Sequence, residues 1–157
     1  MLALSADGSF MEADGTAAAG FILRRHDGSV VFAAYRFLFN CNEALEAEIH
    51  VLMIGMALVR QHTELPILVQ PDSSTALSCL SGSSLISSVY GHLVAEIKSL
   101  MVGREFISQK LHRTQNRVAD CLAGYSRSER ATTVWLGSGP PCIEELLPLD
   151  CNSIITE

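Results

Sequence analysis

Four acids in this 157-residue chain stand where elements of secondary structure should end or begin. Asp7 closes the apolar run Leu2–Asp7, Glu48 falls in the first turns of a long helical pattern, Asp72 follows Pro66–Val69, and Asp120 opens the last helical pattern. Carboxylate oxygen suits a hard divalent cation such as Mg²⁺, which keeps part of its water shell. Two such ions about 4 Å apart can activate a water and stabilise a leaving oxygen in an in-line phosphodiester displacement. Four carboxylates brought together would otherwise repel one another, and a metal relieves that. Taken singly, each acid also has an ordinary reading. Asp7-Gly8 suits a turn, and Asp72 suits a helix cap. Glu48 competes with Glu43 and Glu46 as an early-helix acid, and Asp120 could pair with Arg113 or Arg117 at the surface.

Other chemistries find less support. The cysteines (Cys41, Cys79, Cys121, Cys142, Cys151) are odd in number and widely spaced, with no C-x-x-C pair. This argues against a disulfide framework and a zinc site, and leaves reduced, mostly buried thiols. The histidines lack metal-ligand spacing. No apolar run reaches the roughly 18 residues of a membrane helix, and Met1–Asp7 does not resemble a signal peptide, so an intracellular, cytoplasmic or nuclear protein is expected.

Net charge is −6, unfavourable for a phosphate binder. The charge is uneven, however. Arg104, Lys110, Arg113, Arg117, Arg127 and Arg130 outnumber Glu105, Asp120 and Glu129 in one stretch, while the chain after Arg130 carries acids and no base. A local basic patch acts within a Debye length whatever the net charge.

The elements that must position the acids follow from periodicity. Leu2–Asp7, Ala18–Arg25 and Val30–Phe39 are apolar runs separated by Asp-Gly turns, which predicts a three-stranded antiparallel meander. From Glu43 to about Gln61 apolar residues recur at helical spacing over a wide arc, with Asn42 as a candidate cap. Pro66–Val69 and Glu105–Leu111 read as strands, and Ser73–Leu80, Ser87–Met101 and Asn116–Ser126 as helices. The order predicts an α/β domain over 1–130: a five-stranded mixed sheet, three antiparallel strands then two parallel, with helices on both faces. Residues 131–157, acidic and apolar, read as a loosely ordered tail.

In this order and spacing the chain resembles the ribonuclease H family, in particular the plant reverse-transcriptase-associated type of retrotransposons. The resemblance runs from about residue 3 to 126. Its segments are Ala6-Asp7-Gly8-Ser9-Phe10, Ala47-Glu48-Ile49 with Gly55 following, Asp72-Ser73-Ser74, and Arg113 through Ala123, which contains Asn116 and Ala119-Asp120. It implies a ribonuclease H-like fold and a metal-dependent endonuclease that hydrolyses the RNA strand of RNA–DNA hybrids. In the implied site Asp7, Glu48, Asp72 and Asp120 hold two Mg²⁺ ions, for which Mn²⁺ can substitute. Ser9, Lys110, His112, Arg113 and Asn116 are the implied nucleic-acid contacts, with Asn116 also read as a helix cap. A monomeric domain from a larger reverse-transcriptase polyprotein is implied as well.

The alternative is a catalytically silent, transposon-derived domain with weak nucleic-acid binding or a protein-interaction role. Lys110 stands where many relatives carry a His, Ala17-Ala18-Ala19-Gly20 replaces a Gly-rich strand, and Pro71 precedes Asp72. A third reading is a small α/β module that docks a partner through Ile143–Leu149.

Overall fold

A computed structural model describes residues 1–71, 84–109 and 116–149. The meander is formed by β1 (Leu2–Phe10), β2 (Thr16–Arg24) and β3 (Val30–Asn40). Helix α1 (Ala44–His62), strand β4 (Ile67–Pro71), helix α2 (Ser84–Met101), strand β5 (Phe106–Ser108), helix α3 (Arg117–Glu129) and strand β6 (Thr133–Leu136) follow. A 3-10 turn covers Pro141–Ile143. The expected helix Ser73–Leu80 lies outside the described residues.

The strands form one sheet in the order β5-β4-β1-β2-β3-β6. β4 and β5 run parallel to β1, and the other pairings are antiparallel. β1 therefore sits mid-sheet beside β4, with Ala6 opposite Pro71 at the end of the parallel pairing. The proline occupies the end of a strand, where a missing N–H costs the ladder least.

The sheet has six strands where five were expected. The sixth comes from the segment read as a tail, whose Phe32↔Leu136 to Tyr35↔Thr133 register covers the outer edge of β3. Its short run of β-branched and aromatic residues shows alternating burial, the period-2 signature of an edge strand. The same segment folds back through Ile143, which is fully buried.

Alternation sorts the sheet's two faces. Leu2, Leu4 and Ala6 of β1, Ala19, Phe21 and Leu23 of β2, and Phe32 and Ala34 of β3 pack against α1 and α2. Ile22, Ala33 and Tyr35 pack on the opposite face against Val118 and Leu122 of α3 and against Ile143. β2 is enclosed on both sides, which explains its nearly unbroken apolar sequence.

Candidate active site

Strand alternation aims Asp7 at the α3 face. Its neighbour Gly8 looks the other way, where a Cβ would lie 3.1 Å from Val51 of α1. Asp7 is half-buried and pairs across the sheet with Gly20 of β2. That glycine has a structural reason. A Cβ on Gly20 would stand 2.1 Å from the Ala119 carbonyl oxygen and 2.6 Å from the Ala123 nitrogen. Helix α3 thus rests its backbone directly on the strand position opposite Asp7, and the contacting residue Ala119 immediately precedes Asp120.

Two side chains fix α3 further. Asn116 donates from Nδ2 to the Ala6 carbonyl oxygen at 3.0 Å, bridging 110 positions of sequence. Arg127 donates from Nε to Ser9 Oγ at 2.8 Å. These bonds reach β1 just before and just after Asp7. Asp120, whose N–H donates to the Asn116 carbonyl at 3.1 Å, lies one turn beyond the first anchor and is exposed.

Asn116 corrects one expectation. It stands at the helix start but makes no cap bond. Its side chain is 1% exposed and its amide is engaged by β1, so it ties α3 to the strand instead of capping the helix. Ser9 remains half-buried, with its hydroxyl held by Arg127. Arg127 was missed from the sequence because its partner is 118 positions away. The one available signal was helical spacing, since 116, 120 and 127 lie on one stripe.

Glu48 approaches from the other layer. It is half-buried on α1, one turn before Val51, which packs at Gly8. Its turn therefore lies toward the C-terminal end of β1. The start of α1 is tied locally: Glu46 accepts from the Asn42 backbone and side-chain amides, both at 3.1 Å. Asn42 was expected to be the cap, but the cap position is Glu43, which makes no side-chain cap bond; Glu46 instead reaches back to close the turn. The phenol of Tyr90, at a non-helical break inside α2, donates to the Glu43 carboxylate.

Asp72, Lys110, His112 and Arg113 lie outside the described residues. Among the described residues no group of three His, Cys, Asp or Glu side chains stands ready to hold a metal. The described acids are nevertheless carboxylates only, partly open to water, which is a donor set fitted to Mg²⁺ and not to a soft metal. Beneath them the strand interior is polar. Ser5 and Gln70 are register partners, fully buried, with Ser5 Oγ and Gln70 Oε1 lacking a hydrogen-bond partner among the described residues. Buried oxygens of this kind are ordinarily satisfied by water. Ala18, in the stretch that replaces a Gly-rich strand, is completely enclosed on the α3 face.

Residues 5–126 match the family described as reverse transcriptase-like. The chain belongs to that reverse transcriptase-like family. No curated protein matches it by sequence. Its fold is shared with a ribonuclease H1 from the halophilic archaeon Halobacterium salinarum, at a TM-score of 0.72 and 17% identity over 83% of this chain and 98% of that one. LC11 ribonuclease H1, solved with an RNA/DNA hybrid, superposes at a TM-score of 0.74 with 13% identity, covering 83% of this chain and 99% of that one. The N-terminal ribonuclease H domain of a Mycobacterium tuberculosis protein gives 0.72 and 18%, over 82% of this chain and 94% of that one. At these identities the likeness establishes the ribonuclease H fold of this member of the reverse transcriptase-like family.

Proposed function

We propose that this chain is a metal-dependent endonuclease that hydrolyses the RNA strand of RNA–DNA hybrids, with Asp7, Glu48, Asp72 and Asp120 holding two Mg²⁺ ions. The observation that carries the reading is the seating of α3 on β1 and β2. The Asn116–Ala6 bond, the Arg127–Ser9 bond and the backbone contact at Gly20 all converge on the strand position of Asp7 and bring the Asp120 turn to it. Helix propensity alone requires none of these three. The hybrid is suggested as substrate by the shared fold, one of whose representatives was solved with an RNA/DNA hybrid bound.

When bound, the ions would supply an activated water and charge stabilisation at the leaving oxygen. This chain's own residues do the positioning. Asp7 and Asp120 offer oxygens from two rigid elements, and Asn116 keeps those elements in register. The Ser9 hydroxyl, oriented by Arg127, sits at the open end of β1 where a sugar-phosphate backbone would pass, and Arg127 supplies positive charge there. Lys110, His112 and Arg113 extend that contact in this reading, with Mn²⁺ able to replace Mg²⁺. The domain acts as a monomer within a larger reverse-transcriptase polyprotein.

The test is cleavage of an end-labelled RNA–DNA hybrid at low salt with Mg²⁺ or Mn²⁺, run beside Asp7→Asn. Wild type should cut only the RNA strand and stop in EDTA, and the variant should lose more than about 100-fold of the rate. Millimolar Mg²⁺ should also raise the melting temperature of the wild type but not of the variant. A folded wild type that neither cuts nor responds to metal would point to the silent, transposon-derived domain.

A further inference from the structure

Two cysteines outside the site are placed together by the C-terminal segment. Cys121 is half-buried on α3, next to Asp120, and packs on the cluster that contains Ile22, Val118, Leu122 and Ile143. Cys142 is exposed in the turn Pro141–Ile143. The turn has little freedom, since Pro140 and Pro141 precede Cys142 and the fully buried Ile143 follows it in the same cluster. Cys121 Sγ lies 3.9 Å from the Cys142 carbonyl oxygen.

We propose that Cys121 and Cys142 are an oxidisable dithiol site that closes to an intramolecular disulfide when a peroxide is the oxidant. The inference does not depend on the nuclease reading. Cys142, the accessible partner, reacts first. Its thiolate sulfur attacks one peroxide oxygen, the O–O bond breaks, and the departing oxygen takes a proton to leave as water, giving a sulfenic acid. The Cys121 thiol then gives its proton to solvent, and its sulfur attacks the Cys142 sulfur. An S–S bond forms, and hydroxide leaves and is protonated. Overall, two thiols and one hydrogen peroxide become one disulfide and two waters, with sulfur oxidised and peroxide reduced. The closed loop contains the end of α3 and all of β6, so the link pins the helix that carries Asp120 to the C-terminal turn.

The experiment treats the folded, fully reduced chain with hydrogen peroxide, blocks free thiols, and maps the peptides by mass spectrometry without reduction. A Cys121–Cys142 peptide pair that has lost two hydrogens is the expected product. It should persist in a Cys79→Ser/Cys151→Ser variant and be absent from Cys142→Ser. Loop closure should raise the melting temperature by about 5 °C, an increase that dithiothreitol reverses. Recovery of Cys121 as a free thiol would overturn the proposal, whether Cys142 ends as a sulfinic acid, joins Cys79 or Cys151, or links two chains.

Discussion

Helices α1 and α3 cover opposite faces of the same sheet by different means. α1 buries Ala47, Ile49, Val51, Leu52, Ile54, Gly55, Met56 and Val59, so its position is an average over many side-chain contacts, each small. Where it comes near a strand, at Gly55, the neighbours within reach are a Phe21 ring and a Leu4 methyl at 3.1 to 3.3 Å. α3 buries only Val118, Ala119, Leu122, Ala123 and Ser126 and is placed by backbone contact at Gly20, the buried Asn116–Ala6 bond and the Arg127–Ser9 bond. A broad apolar interface can adjust by repacking, whereas a backbone contact cannot. The helix carrying Asp120 is the one held by contacts that leave it least room to shift.

Adding one methyl to each helix seat gives the sharpest contrast. Gly20→Ala puts a Cβ against backbone atoms that cannot move independently, and should destabilise by about 3 kcal/mol or more, lowering the melting temperature by about 10 °C. Gly55→Ala meets side chains that can rotate and gains about 1 kcal/mol in helix propensity, so thermal unfolding should show a net change within about 1 kcal/mol. Equal losses from the two substitutions would break the comparison.

Asn116→Ala comes next in size. It strips the Ala6 carbonyl of a buried donor, at a cost of about 1–3 kcal/mol by chemical denaturation. If Asn116 sets the Asp120 turn, Mg²⁺ affinity, read from the metal-dependent rise in melting temperature, should fall about 10- to 100-fold. A stability loss with metal affinity unchanged would separate the helix seat from the site.

The smallest effect belongs to the outer tie of α1. The hydrogen bond to the Glu43 carboxylate, then burial, raise the Tyr90 phenol to about 12. A group whose folded value lies above its unfolded value of about 10 stabilises fully below pH 10. That contribution is lost as pH rises from 10 to 12, because the unfolded chain ionises first. Wild type should therefore lose melting temperature over that window more steeply than Tyr90→Phe, and parallel curves would show that the tie contributes nothing.

Much of the architecture was legible in the sequence. The Asp27-Gly28 turn marked the second hairpin, the 3.6-residue spacing after Asn42 marked α1, and the order of elements pointed to a mixed sheet, whereas Asp7-Gly8, read as a turn, lies inside β1, whose pairing with β2 runs on to Phe10. The strand Thr133–Leu136 was not legible. Four residues of alternating burial carry too little pattern to stand out, and only the free edge of β3 makes them a strand. Asn116 shows the same limit at the site: an Asn before a helix reads as a cap because local pairing is all a sequence displays.

Sequence by itself determined which residues could face which way along each element, since side-chain direction follows from a period of two or 3.6. It therefore determined that Asp7 shares its face with Ser9 and that Asn116, Asp120 and Arg127 share a stripe. Tertiary structure alone decided that this stripe lies over that face. The bonds responsible join residues 110 and 118 positions apart, and the close approach that permits them depends on the missing Cβ of Gly20. Contacts between elements are set by shape and packing in three dimensions, and no local period encodes them.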